Sequence, residues 1–149
     1  MIKVENSKLC LVVSDFNSII TDSMKKAAIH CFLEKGGNNK NIKIYQVSGA
    51  FEIPGVMSQI LKNKKADIIV ALGCIIKGQT KHYDYIATET SRAIMRMSVN
   101  DDIPIGFGVL TTDNMKQAIE RSKDDNSNKG REAMEAALGV LNVYNEIKG

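Results

Sequence analysis

The chain has 149 residues, 44% hydrophobic and 25% charged, a balance that suits one globular domain spanning 1–149. Its 20 basic and 17 acidic residues leave a net charge of +3, too weak an excess to argue for a nucleic-acid partner. Four tyrosines and four phenylalanines are too few for a base-stacking sheet, and no stretch approaches the ~20 apolar residues of a membrane span.

Strand and helix patterns alternate along the chain. Leu9 to Ser14 is a short apolar run, as in a buried strand. Ile20, Met24, Ala27 and Cys31 then recur at helical spacing, and Gly36-Gly37 ends that helix. Ile42 to Val47 alternates, which predicts a strand with one less buried face. A second helix is predicted from about Phe51 to Lys64, where Pro54 is tolerable only in the first turn. Asp67 to Leu72 reads as the third strand, and a helix from about Lys81 to Val99 carries Ile86, Ala93, Ile94 and Met97 on one face. Asp101-Asp102 turns into a fourth strand, Ile103 to Leu110. Helices over Asp113 to Ser122 and Asn128 to Ile147 close the chain, the last with Ala133, Ala137, Val140, Leu141 and Tyr144 as its stripe.

This alternation implies an α/β fold with a four-stranded parallel sheet flanked by helices. In such sheets ligands sit beyond the carboxyl ends of the strands. Four segments should therefore open on one edge: Ser14 to Asn17, Ser48 to Glu52, Gly73 to His82 and Leu110 to Asp113. Gly73 to His82 is the most informative, because it delivers two glycines, Thr80, two lysines and His82 to a helix start. Free N–H groups and the helix dipole make such a place a seat for an anion, and a histidine beside it can move protons near neutral pH. The plainer alternative is a connection whose Thr80 caps the helix. Ser48 to Pro54 offers small residues where a planar ligand could approach backbone, or else a helix start capped by Ser48 with Glu52 completing a box. Phe16 stacks on a flat ring or plugs a gap, Phe107 falls where a core residue is expected, and Arg121 and Lys129 flank the polar loop 123–127 as solvated charges or phosphate partners.

Cys10, Cys31 and Cys74 form no CxxC pair and no cluster with histidine, so no metal is expected. His30 reads as structural. Met1 to Asn6 lacks a signal-peptide apolar stretch, which makes a cytoplasmic location the default.

Six segments carry a resemblance that no one of them carries alone. They are Phe16 to Thr21, Ser48 to Pro54, Gly73 to Tyr85, Phe107 to Thr112, Gln117 to Arg121 and Asn128 to Ala133. In this order and these structural places, the chain resembles the lumazine synthase family from about Leu9 to Val143. The resemblance implies a flavodoxin-like three-layer sandwich and a condensation of 5-amino-6-(D-ribitylamino)uracil with 3,4-dihydroxy-2-butanone 4-phosphate. The products would be 6,7-dimethyl-8-ribityllumazine, phosphate and water, formed with no cofactor. It implies His82 as proton shuttle, Arg121 with Gln79 and Thr80 on the substrate phosphate, and Phe16 stacked on the uracil ring. Ala50, Phe51, Glu52, Ile75, Ile76 and Lys77 would hold the pyrimidine and ribityl chain, with Lys129 and Glu132 as supporting polar residues. Phe107 would come from a neighbouring subunit. A homopentamer is implied; the ordinary length of loop 123–127 permits a sixty-subunit shell, and riboflavin synthase is a partner the family suggests. Lys77 stands where arginine is common, loop 123–127 is poorer in glycine than usual, and the arm before Leu9 is short. A lumazine- or flavin-binding module, a shell protein without catalysis and a riboflavin synthase are the competing readings.

Overall fold

The computed structural model describes residues 2–149. Four strands form the sheet: β1 (Leu9–Ser14), β2 (Ile42–Val47), β3 (Ile68–Ile76) and β4 (Ile105–Thr112). They pair in parallel in the order β2-β1-β3-β4. The two central strands, β1 and β3, are buried at every position, as their unbroken apolar runs require. The edge strand β2 is mostly open to solvent, in keeping with its alternating sequence.

Five helices cover the sheet: α1 (Ser18–Glu34), α2 (Ile53–Lys62), α3 (Tyr83–Asn100), α4 (Met115–Glu120) and α5 (Lys129–Lys148). Leu9, Leu11 and Val13 of β1 face α1 and α5, where Met24, Phe32, Met134 and Leu138 fill the core. Cys10 and Val12 face the opposite way, toward Ile53 and Met57 of α2 and Ile94 of α3. The result is the expected three-layer α/β sandwich. Helix α5 lies unusually close to β4. A Cβ on Gly106 would sit 2.5 Å from the Ala133 carbonyl oxygen, and one on Gly108 would sit 3.2 Å from Ala133 Cβ. No described helix is long and apolar enough to cross a membrane.

Several boundaries differ from the sequence reading. Strand β3 continues through Gly73 to Ile76, because Gly73 to Ile76 pair with Val109 to Thr112 of β4. Gly73 marks a close approach inside the strand rather than its end, since a Cβ there would meet Ile53 Cδ1 at 3.2 Å and Ser14 Oγ at 3.4 Å. Strand β4 starts two residues late, after Pro104, which has no N–H to give a ladder. Helix α2 starts at Ile53 after a 3₁₀ turn over Ala50–Glu52, with Pro54 in its first turn. Ser48 does not cap it; its hydroxyl donates instead to Glu52 Oε1 at 3.0 Å. Ala28 rather than Ala27 completes the buried stripe of α1.

Candidate active site

The carboxyl ends of the four strands are tied to one another. Phe16 N–H donates to the Ser48 carbonyl (3.0 Å), and Lys77 N–H donates to the Thr112 carbonyl (2.8 Å). Asn17, in the left-handed region at φ 62°, turns the chain from β1 into α1 and donates its side-chain amide to the Cys74 carbonyl at 3.2 Å.

A cavity of about 540 Å³ opens beyond three of these ends. Phe16 enters it from the end of β1, and Ala50, Phe51 and Glu52 from the 3₁₀ turn after β2. Ile75 and Ile76 line it from the end of β3, and Thr80 and His82 from the loop before α3. Phe16 and Phe51 are more than half exposed, so two aromatic faces are offered to a ligand rather than to the core. Glu52 supplies a carboxylate whose direction is fixed by the Ser48 hydroxyl. Cys74 also lines the cavity, but burial pushes its thiol up to about 11, which leaves it protonated and a poor nucleophile near neutral pH.

The loop before α3 is built to turn tightly. Gly78 has φ +87°, a conformation that suits glycine. Thr80 does not cap α3; its hydroxyl accepts from His82 N–H at 3.1 Å. His82 occupies the cap position with no side-chain cap bond, and its carbonyl accepts the first helical bond, from Ile86 N–H at 2.9 Å. The N–H groups of Tyr83, Asp84 and Tyr85 therefore precede the helical ladder, as an anion seat requires. Lys77 and Gln79 stand in this loop without lining the cavity; Gln79 N–H donates to the Ile76 carbonyl at 3.2 Å.

A second cavity, about 530 Å³, collects the other expected residues: Phe107 from β4, Arg121 from the end of α4, and Lys129 and Glu132 from the first turn of α5. Lys129 Nζ lies 2.7 Å from Glu132 Oε2, which leaves Arg121 as the cation of this cavity without a carboxylate partner among the described residues. Asn128 builds this corner. It is fully buried, and its amide donates to the Ser122 (2.9 Å) and Lys123 (3.0 Å) carbonyls while its oxygen accepts from Gly130 N–H at 2.8 Å. Lys129 N–H closes the corner on the Arg121 carbonyl at 2.8 Å. Phe107 is nearly half exposed, not core, because β4 is an edge strand.

The chain thus brings eight of the expected residues to the first cavity and four to the second. Arg121 does not share a cavity with Thr80, contrary to the single phosphate cradle expected for them. The end of β4 likewise opens on the second cavity, at Leu110 and Thr111. Tyr85, Ile86 and Glu89 are not among the site residues expected from the sequence, yet they line the first cavity. Their spacing from His82 is the signal: three, four and seven residues on, one face of a helix. His30 lies elsewhere, exposed on α1 with its Nε2 3.3 Å from Glu34 Oε2.

Known proteins are similar to this chain over nearly its whole length. The family described as 6,7-dimethyl-8-ribityllumazine synthase matches residues 6–145. The chain is 41% identical over 144 residues to the 6,7-dimethyl-8-ribityllumazine synthase of Helicobacter acinonychis (strain Sheeba), covering 97% of this chain and 92% of that protein. It is 42% identical over 142 residues to the protein of that name from Campylobacter jejuni (strain RM1221), covering 95% of this chain and 92% of the relative. The same figures, 42% over 142 residues with 95% and 92% coverage, hold for the protein of that name from Nautilia profundicola.

Proposed function

Because the chain belongs to the 6,7-dimethyl-8-ribityllumazine synthase family, we propose that it catalyses that synthesis at a site completed by two subunits. It condenses 5-amino-6-(D-ribitylamino)uracil with 3,4-dihydroxy-2-butanone 4-phosphate in riboflavin biosynthesis. The amine attacks the ketone and water leaves to give an imine. Phosphate then leaves, and the ring closes with loss of a second water. Each step moves protons, and none needs a protein nucleophile, in keeping with a protonated Cys74.

His82 is the proton shuttle, at the mouth of the sheet where an exposed imidazole meets both substrates. Phe16 stacks on the pyrimidine, and Ala50, Phe51, Ile75 and Ile76 shape its slot. Glu52 accepts hydrogen bonds from the ribityl hydroxyls. Lys77 and Gln79 act through the backbone of the loop, and Thr80 sits beside the N–H groups that receive phosphate. Arg121 grips the same phosphate with its planar fork, and Lys129 with Glu132 frames it. Much of the rate comes from holding the two substrates together.

The observation that carries the two-subunit site is the separation of Arg121, Lys129, Glu132 and Phe107 from His82 on one chain. A head-to-tail ring lets the second cavity of each subunit close the first cavity of the next. Exposed Phe16, Phe51 and Phe107 give that junction apolar surface. The ring of five is the active unit, and three free, buried cysteines suit the reducing cytoplasm. Mixing both substrates with the protein and following lumazine fluorescence tests the reaction; absence of turnover refutes it. Arg121→Ala should raise KM for the phosphate substrate, and a fall in activity with that KM unchanged would refute the phosphate role. Sizing in solution separates a pentamer from a sixty-subunit shell or a lone subunit.

A further inference from the structure

We infer that Tyr85 is a positioning residue, whose ring holds the His82 imidazole in the orientation needed for proton transfer. This rests on the proposed role of His82 and extends it to a side chain outside the expected site.

The main chain of His82 is pinned on both sides, by Thr80 Oγ1 on its N–H and by Ile86 N–H on its carbonyl. Its ring is not. Among the described residues no carboxylate, carbonyl or hydroxyl bonds to the imidazole, although such a bond is the usual device for orienting a working histidine. The outer torsion of a histidine side chain is broad, so a pinned backbone alone leaves the ring free to swing.

Tyr85 stands three residues on, over the same side of the helix. Its ring centroid lies 6.1 Å from that of His82, with the planes tilted by 45°. That is within the range of an attractive aromatic pair. Both rings line the first cavity. On the single chain Tyr85 is 72% exposed, so packing within the chain does not account for an aromatic at this place; Tyr83, Ile86 and Ala87 do the packing of this turn. The ring paired with that of Tyr85 is the imidazole of His82.

Steady-state kinetics on the assembled protein test this. Tyr85→Leu should lower kcat by about 2- to 12-fold, the factor an aromatic pair is worth. Both KM values should stay within about two-fold, and Tyr85→Phe, which keeps the ring, should restore kcat to a similar margin. In a His82→Ala background, Tyr85→Leu should have no further effect, because the group it orients is gone. An equal loss in that background, a Phe variant as slow as the Leu variant, or a loss confined to KM would each overturn the inference. If Tyr85→Leu alters the assembled size, Tyr85→Met carries the same cycle. A wild-type protein without turnover refutes the proposed reaction itself. A His82→Ala variant as fast as wild type refutes the histidine's role and this inference with it. Neither resembles an equal loss in both backgrounds, which refutes the coupling alone.

Discussion

Replacing Asn128 by alanine should loosen the corner that carries Arg121 and Lys129. Asn128 is fully buried and bonds in two directions. Its oxygen caps α5, accepting from Gly130 (2.8 Å) and Arg131 (3.3 Å) N–H groups, and loss of such a cap costs about 0.5–2 kcal/mol. Its amide satisfies the Ser122 and Lys123 carbonyls at 2.9 and 3.0 Å. A buried carbonyl stripped of its donor costs about 1–3 kcal/mol, and Lys123, being exposed, regains water for less. The sum is about 1.5–5 kcal/mol, which in a chain of this size lowers Tm by about 3–20 °C. Because the Lys129 N–H to Arg121 carbonyl bond spans the loosened loop, KM for the phosphate substrate should rise more than kcat falls. Asn128→Asp separates the two directions. It keeps the cap, which the helix dipole favours, but sets a carboxylate against two carbonyls. It should still lose about 1–3 kcal/mol. Urea and thermal unfolding at one fixed protein concentration measure both variants. An Asp variant as stable as wild type would show that the donor half contributes nothing, and an Ala variant within about 0.5 kcal/mol of wild type would refute the whole account.

Mixing His82→Ala and Arg121→Ala subunits by unfolding and refolding should restore activity. With random 1:1 assembly about one site in four receives both intact halves, so the mixture should exceed either parent; a mixture no faster than their average would place both residues in one subunit's site. Burial raises the Cys74 thiol from 9.0 to about 11. The folded state therefore favours the neutral thiol, with the full benefit below pH 9 and its loss as pH rises from 9 to 11. That is worth about 3 kcal/mol, and Cys74→Ala should flatten the fall in urea midpoint over that window relative to wild type. An unchanged pH slope would remove Cys74 as its cause. Gly108→Ala would set a Cβ 2.6 Å from Leu72 Cδ2 and 2.9 Å from the Ala71 carbonyl oxygen, both of β3, and should destabilise by about 1–3 kcal/mol; denaturant unfolding at wild-type stability would show that β3 and β4 can give way at no cost.

Much of the fold could be read without coordinates. The unbroken apolar runs of β1 and β3 announced two central strands, and the alternation in Ile42 to Val47 announced an edge. Ala133, Ala137 and Leu141 mark the buried stripe of α5 in the sequence and in the structure. Gly73 misled, because a glycine that ends a strand and a glycine that admits a neighbour look alike until the neighbour is known. Phe107 misled for a related reason: an aromatic within an apolar strand is core or surface according to whether that strand lies inside the sheet or at its rim.

Periodicity and turn chemistry act over a few residues, so the chain itself determined its strands, its helices and the segments that end at the sheet's carboxyl edge. The order β2-β1-β3-β4 depends on pairings between distant residues. It sends the ends of β1, β2 and β3 to one cavity and the end of β4 to another. Only the tertiary structure could decide that His82 and Arg121 line different cavities of the chain, because which strand lies beside which is settled by long-range packing that no local pattern records.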